Sequence, residues 1–165
     1  MTEKKRGARP ETDLVIEREV AAPVSRVWDA WTLPEQLRQW WCPRPWTTPR
    51  AEIDLRPGGT FATMLRGPAG EEEHVRGCYL EVVPQERLVW TVALRAGWRP
   101  SPISPGVPDF TAVIEMRAFE GGTKYRATAM HRDAEGAAMH EKMGFFEGWG
   151  AVTDQLAELV TRGRV

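Results

Sequence analysis

Residues 110–131 read FTAVIEMRAFEGGTKYRATAMH and carry the clearest pattern of secondary structure in the chain. In each half, apolar and polar residues alternate with the two-residue period of a β-strand, and the paired glycines between the halves are a turn signal. Lys124 and Arg126 must face solvent, so the alternate positions face inward. These inward positions are Phe110, Ala112, Ile114 and Met116 in residues 110–119, and Tyr125, Ala127, Ala129 and His131 in residues 123–131. The stretch therefore predicts an antiparallel hairpin with one buried face.

The C-terminal residues 133–162 predict the element that covers this face. Asp133 is a suitable N-cap. An apolar stripe recurs at helical spacing through Trp149, Val152, Leu156 and either Leu159 or Val160. One helix of about 29 residues would be about 43 Å long and would cross a sheet. The three glycines in MGFFEGWG (143–150) each weaken a helix by up to about 1 kcal/mol relative to alanine, which indicates a kink or a close approach of sheet or ligand to the helix.

The rest of the chain supplies further strands and two short helices. Strands are predicted at residues 14–20, 50–55, 60–66, 74–82 and 87–94. A helix begins at Pro23 and is broken by Leu33-Pro34, where a second short helix begins. Residues 95–108 are rich in proline and glycine and predict a long loop, typical of a lid or rim. The inward or outward parity of strand 74–82 stays open, because Tyr79 and Leu80 compete for the buried face.

The order of these elements defines the fold class as α+β. We expect a curved antiparallel sheet of about seven strands wrapped around a long C-terminal helix, with two short helices after the first strand. Residues 13–165 are predicted to form one domain, and residues 1–12 a disordered N-terminal tail.

Composition excludes several classes of function. The 22 basic and 23 acidic residues give a formal net charge of −1, so we expect no nucleic-acid partner. No apolar run approaches the length of a membrane span and no secretory signal is present, so we expect no membrane partner. Two isolated cysteines favour a reduced, cytoplasmic protein. The sequence HEKMG from His140 lacks the second histidine of a zinc-protease helix, and we expect neither a metal nor a cofactor.

The inner face predicts a ligand cavity between sheet and helix. Its central alanines leave space, and eight tryptophans exceed what a core of this size needs. The alternative is that aromatic rings such as Trp90, Phe146 or Trp149 simply fill the space. The candidate ligand-binding residues are Trp40, Trp41, Phe61, Tyr79, Trp90, Phe110, Ala112, Ile114, Tyr125, Ala127, Ala129, His131, Met143, Phe146 and Trp149. For His131, a ligand contact or a titrating role competes with a purely structural hydrogen bond.

Three motifs carry a family resemblance. The segments DLRPGGTF (54–61), YLEVVPQERLVWT (79–91) and MGFFEGWG (143–150) resemble the SRPBCC superfamily, in particular its bacterial branch similar to the C-terminal domain of the heat-shock-protein-90 ATPase activator. The resemblance implies a START-like, helix-grip fold with a deep cavity, in a group that includes lipid carriers, polyketide cyclases and co-chaperones. Cys42 stands where these sequences usually have glycine, and the loop 99–108 varies among them, so ligand identity does not carry over.

Three functional hypotheses follow. The first is a protein that binds an apolar or aromatic, lipid- or polyketide-like small molecule in the cavity. The second is a cyclase- or hydrolase-type enzyme that uses the same cavity, with His131 and Tyr125 as its only placed polar groups. The third is a co-chaperone-like interaction module. The sequence leaves open whether the chain forms a homodimer.

Overall fold

The computed structural model describes residues 11–162, so residues 1–10 and 163–165, including most of the predicted tail, lie outside the described residues. The strands are β1 (Asp13–Val20), β2 (Thr47–Ile53), β3 (Thr60–Arg66), β4 (Glu72–Val83), β5 (Arg87–Thr91), β6 (Leu94–Arg95), β7 (Arg99–Pro100), β8 (Phe110–Phe119) and β9 (Gly122–His131). Seven of them form one antiparallel sheet in the order β1-β9-β8-β5-β4-β3-β2. The short strands β6 and β7 pair separately.

The helices are α1 (Val24–Thr32), α2 (Pro34–Leu37), α3 (Ala134–Lys142) and α4 (Phe145–Thr161). Pro34 occupies the first turn of α2, where the N–H that it lacks would have no partner. The predicted α+β class, the seven-stranded antiparallel sheet and the C-terminal helix are confirmed. Within residues 11–162, no helix has both the length and the apolar character needed to cross a membrane.

The prediction of a single helix over residues 133–162 is wrong, because this segment forms the two helices α3 and α4. Asp133 caps α3 by accepting a hydrogen bond from the backbone N–H of Gly136 at 2.7 Å. The chain then turns at Gly144, whose φ of +97° lies in the left-handed region and ends α3 before α4 begins. The other two glycines of the segment, Gly148 and Gly150, lie within α4 without a break.

Two strands also differ from expectation. The predicted strand 87–94 ends at Thr91, because the Thr91 hydroxyl accepts a hydrogen bond from the Ala93 N–H at 3.1 Å and Leu94 pairs with Pro100 instead. In β4 the register shifts between Tyr79 and Glu81, and this bulge settles the open parity: Tyr79 faces inward and is 0% exposed.

The inner face of the sheet follows the predicted alternation. Ala112, Ile114 and Met116 of β8 and Tyr125, Ala127, Ala129 and His131 of β9 are all buried. The apolar stripe of α4 packs on this face through Val152, Leu156 and Val160, which are 5%, 0% and 3% exposed. Sheet and helix thus bury one another, as their sequence periods require.

Candidate functional site

Aromatic rings occupy the deep interior between the sheet and α4. The core cluster consists of Trp31, Trp40, Phe61, Tyr79 and Trp90, each 0–1% exposed. Phe61 and Trp90 stack with ring centroids 4.3 Å apart, and Trp31 meets Trp40 edge-on at 4.9 Å. Ala112 and Ala127 of the inner face belong to the same buried hydrophobic cluster as these five rings. The rings therefore occupy the space that the small alanine side chains leave.

Hydrogen bonds hold several of these rings in place. The Trp31 indole N–H donates to the Tyr125 hydroxyl at 3.0 Å, and the Trp40 indole N–H donates to the Ala30 carbonyl at 2.9 Å. Burial raises the pKa of Tyr125 well above its ordinary value, so its hydroxyl stays protonated at neutral pH. The Tyr79 hydroxyl, by contrast, is buried with no partner in the part of the chain that the structure describes.

An open cleft of about 480 Å³ lies beside the core cluster, which we call the rim cleft. It is bounded by β3 and β4, the proline-rich segment 101–108 and the first half of α4. Its apolar walls are Trp41, Leu65, Val75, Phe110, Trp149 and Val152. Polar side chains at its border include Glu73, His74, Arg76, Arg95, Ser101, Ser104, Asp109 and His140. The predicted long loop therefore does form the rim of an opening.

Three aromatic residues shape the inside of the rim cleft. Trp149 meets Trp41 edge-on at 5.8 Å and Phe110 edge-on at 6.0 Å. Trp41 is fixed by its indole N–H, which donates to the Thr63 hydroxyl at 2.9 Å. Gly148, one residue before Trp149, also lines the cleft, and a Cβ atom built there would meet no neighbouring atom of residues 11–162 within 4 Å. The missing side chain at Gly148 leaves part of the cleft open.

His140 lines one side of the rim cleft and pairs with His131, which does not line it. Nδ1 of His131 lies 2.8 Å from the carbonyl oxygen of Thr12, and Nε2 of His131 lies 2.8 Å from Nδ1 of His140. The His140 ring lies against Phe110 and Phe145, each at 5.1 Å between centroids. Burial, and secondly the neighbouring His131, lower the pKa of His140 to about 4. Both rings are therefore held in fixed orientations beside an apolar wall.

The structure divides the fifteen predicted site residues into three groups. Trp41, Phe110 and Trp149 line the rim cleft. Nine lie in the buried interior, namely Trp40, Phe61, Tyr79, Trp90, Ala112, Ile114, Tyr125, Ala127 and Ala129. His131 adjoins the cleft through His140, Met143 is 59% exposed at the end of α3, and Phe146 packs against Phe145 at 5.2 Å. The ligand-binding role of all fifteen stays a prediction.

Sequence reasoning missed several residues of the rim cleft. Leu65 and Val75 lie on strands whose inward face was not assigned, and His140 was weighed only as a metal ligand. The signal for His140 was its place in the last turn before Gly144, on the same side as Ala137, which is 2% exposed. Among residues 11–162, no group of three or more potential ligands is placed to hold a metal ion.

A larger groove of about 1150 Å³ lies elsewhere, against β1, β8, β9 and the turn before β5. Charged side chains dominate it, and several pair with one another, including Arg126 with Glu17 at 2.9 Å and Arg87 with Glu115 at 2.9 Å. A surface of paired charges offers little to an apolar ligand. The smaller rim cleft is therefore the better candidate site.

The sheet, the C-terminal helix on its inner face and the opening at its rim define a helix-grip protein of the SRPBCC superfamily. The family described as "Activator of Hsp90 ATPase homolog 1-like protein" matches residues 21–161, and the chain belongs to that family. The resemblance seen in the sequence motifs is thereby confirmed. Among curated proteins, no match to this chain was found.

Solved structures support the same assignment. The chain is 44% identical to a protein from Nitrosomonas europaea, with a TM-score of 0.87 over 93% of this chain and 97% of that one. A protein from Mycobacterium smegmatis is 26% identical, with a TM-score of 0.76 over 94% of each chain. An AHSA1-like protein from Aeromonas hydrophila is 18% identical, with a TM-score of 0.68 over 90% of this chain and 92% of that one. At 18% identity the last likeness shows the fold alone.

Proposed function

We propose that the protein binds an apolar, aromatic small molecule in the rim cleft. The observation that carries the proposal is an open cleft of about 480 Å³ whose walls include Trp41, Phe110 and Trp149. Small-molecule sites commonly enclose about 300–1,000 Å³ and combine apolar walls with a few polar groups. The proposed site lies at the opening beside segment 101–108. It does not lie in the deep centre, where the core cluster fills the space.

Aromatic geometry supports this choice of ligand class. Trp149 presents its edge to Trp41 and to Phe110 at centroid separations of 5.8 and 6.0 Å. A flat ring that entered the cleft could extend this edge-to-face arrangement, and each such aromatic contact is worth about 0.5–1.5 kcal/mol beyond the area that it buries. Gly148, which also lines the cleft, has no side chain and leaves space beside these rings.

The two polar residues of the enzyme hypothesis, Tyr125 and His131, are not placed to act as catalytic groups in the rim cleft. The Tyr125 hydroxyl is buried and accepts the hydrogen bond from Trp31, and both ring nitrogens of His131 lie at hydrogen-bond distance from Thr12 and His140. Neither group lines the rim cleft. Binding therefore accounts for the geometry with fewer assumptions than catalysis by these two residues.

Thermal unfolding with a panel of fatty acids, sterols and polyketide-like aromatic compounds tests the proposal. A ligand at 100 times its Kd stabilises the folded state by about 2.7 kcal/mol, which for a chain of this size raises Tm by about 5–10 °C. We expect at least one aromatic compound to give such a shift with the wild-type protein. A panel that leaves Tm unchanged would contradict the proposal.

Two substitutions at Gly148 provide the matched control. Gly148→Ala adds one methyl group to open space and should keep the ligand-induced shift. Gly148→Phe places a ring in the cleft and should abolish the shift, while circular dichroism shows that the protein stays folded. A full ligand response in Gly148→Phe would place the ligand somewhere other than the rim cleft.

A further inference from the structure

The hydrogen bonds of the histidine pair have a fixed direction. The Thr12 carbonyl can only accept, so Nδ1 of His131 must donate across the 2.8 Å separation. A neutral imidazole has one N–H, which leaves Nε2 of His131 as an acceptor. Nδ1 of His140 must then donate to it, again across 2.8 Å. It follows that Nε2 of His140 has a free lone pair.

His140 is one of the residues that line the rim cleft, and within residues 11–162 no group hydrogen-bonds to its Nε2. Among the described residues, the buried polar side-chain atoms without a partner are Tyr79 Oη, Trp90 Nε1 and Ser101 Oγ. Nε2 of His140 is not one of them although it has no partner there, so this atom is accessible to solvent. Packing against Phe110 and Phe145 and the bond to His131 hold the ring in place.

The protonation state agrees with this assignment. Burial and the adjacent His131 keep the pKa of His140 near 4, so the ring is neutral at pH 7. Ser101 also lines the cleft, and its buried hydroxyl has no partner in the described chain. A hydroxyl both donates and accepts, whereas Nε2 of neutral His140 only accepts.

We propose that the ligand of the rim cleft carries a hydroxyl or N–H donor on its apolar body, and that Nε2 of His140 accepts this hydrogen bond. The inference rests on the proposed function and refines it, because it selects phenol-like or otherwise hydroxylated aromatic molecules over plain hydrocarbons. His131 acts as a positioning residue, since its bond to Thr12 sets the tautomer of His140.

Nitrogen-15 correlation spectra of the histidine side chains test the tautomer without any ligand. At pH 7 they should show the proton of His140 on Nδ1 and a bare Nε2. His131→Leu removes the acceptor for Nδ1, so both tautomers of His140 should then be populated. A proton found on Nε2 of His140 in the wild-type protein would overturn the inference regardless of what the protein binds.

Calorimetry with a matched pair of probes tests the ligand contact. β-Naphthol carries a hydroxyl donor, and its methyl ether has nearly the same shape without the donor. One net hydrogen bond predicts that wild-type protein binds β-naphthol about five- to ten-fold more tightly than the ether. His140→Asn retains an N–H for His131 but has no atom at the position of Nε2, so it should bind both probes equally. Lys124→Gln, a change in the larger charged groove away from the rim cleft, should keep the preference.

The outcomes separate the two proposals. Equal binding of both probes by the wild-type protein overturns the role of His140 and leaves binding in the rim cleft intact. Loss of the preference in Lys124→Gln but not in His140→Asn also overturns it. If neither probe binds, the proposed function fails for aromatic ligands and the inference fails with it.

Discussion

Replacing each of two glycines by alanine should move stability in opposite directions, although they lie four residues apart. Gly144 has a φ of +97° and forms the N-cap of α4, whereas Gly148 lies inside the helix. In the described part of the chain, the nearest atom to the new methyl group of Gly144→Ala is Glu147 Oε1 at 3.9 Å, so the cost is confined to the backbone. A left-handed conformation costs an L-residue about 1–2 kcal/mol, and we expect Gly144→Ala to lower the free energy of unfolding by that amount.

Gly148→Ala should be stabilising. Alanine is favoured over glycine in a helix interior by about 0.5–1 kcal/mol, and the new methyl group would contact none of the described neighbouring residues within 4 Å. The two variants should therefore differ by about 2 kcal/mol, which corresponds to about 4–8 °C in Tm for a chain of this size. Urea titration followed by far-ultraviolet circular dichroism measures the free energies, and calorimetry measures Tm.

The signs of the two shifts decide whether this reasoning holds. An increase in Tm for Gly144→Ala would mean that residues 133–162 form one continuous helix, as their sequence first predicts. A decrease for Gly148→Ala would mean that this wall of the rim cleft is packed rather than open. Either result would refute the account of this segment, and the second would also weaken the case for a binding site.

Two other predictions concern buried polar groups. Tyr125→Phe should lower the free energy of unfolding by about 1–3 kcal/mol in urea titration, because it removes the acceptor of the buried Trp31 N–H. Tyr79→Phe should be neutral or stabilising, because it removes a hydroxyl without a partner in the described residues. Equal costs for the two variants would contradict this assignment. Because the pKa of His140 falls from 6.5 to about 4 on folding, the unfolded chain binds the proton at higher pH, and stability should fall as pH drops through that interval. The upper limit of this loss is about 3 kcal/mol, and partial solvation of the ring reduces it. In urea titrations at pH 6.5 and pH 4.5, His140→Asn should lose less stability than the wild-type protein. An equal loss in both proteins would refute the assignment to His140.

The buried face of the sheet could be predicted from sequence because its signal is local. Lys124 and Arg126 cannot face a core, so the two-residue period fixes Tyr125 and Ala127 as inward, and the structure agrees. The bulge at Leu80 could not be predicted, because it depends on how β4 pairs with β5. The position of the helix break at Gly144 could not be predicted either. Several glycines of that segment are compatible with a kink, and only the backbone conformation shows that the break occurs at Gly144.

The site was harder to predict than the fold for a physical reason. Inward-facing alanines indicate missing volume, but they do not say whether a ligand or a neighbouring ring fills it. Here Trp31 and Trp90 lie in the buried centre, and open space lies at the rim, which Gly148 and segment 101–108 both line. The role of His140 depends on Thr12, which is distant in sequence and reaches it only through His131.

Titration of the protein with β-naphthol, followed by two-dimensional NMR of the indole N–H groups, tests the central claim most directly. The eight tryptophans give separate reporters for the cleft and the core. Binding in the rim cleft should shift the signals of Trp41 and Trp149 and leave those of Trp31 and Trp40 in place, because the latter two donate to Tyr125 and Ala30 in the filled interior. Shifts confined to Trp31 and Trp40 would instead show that the ligand enters the deep core, and the rim-cleft account would be wrong.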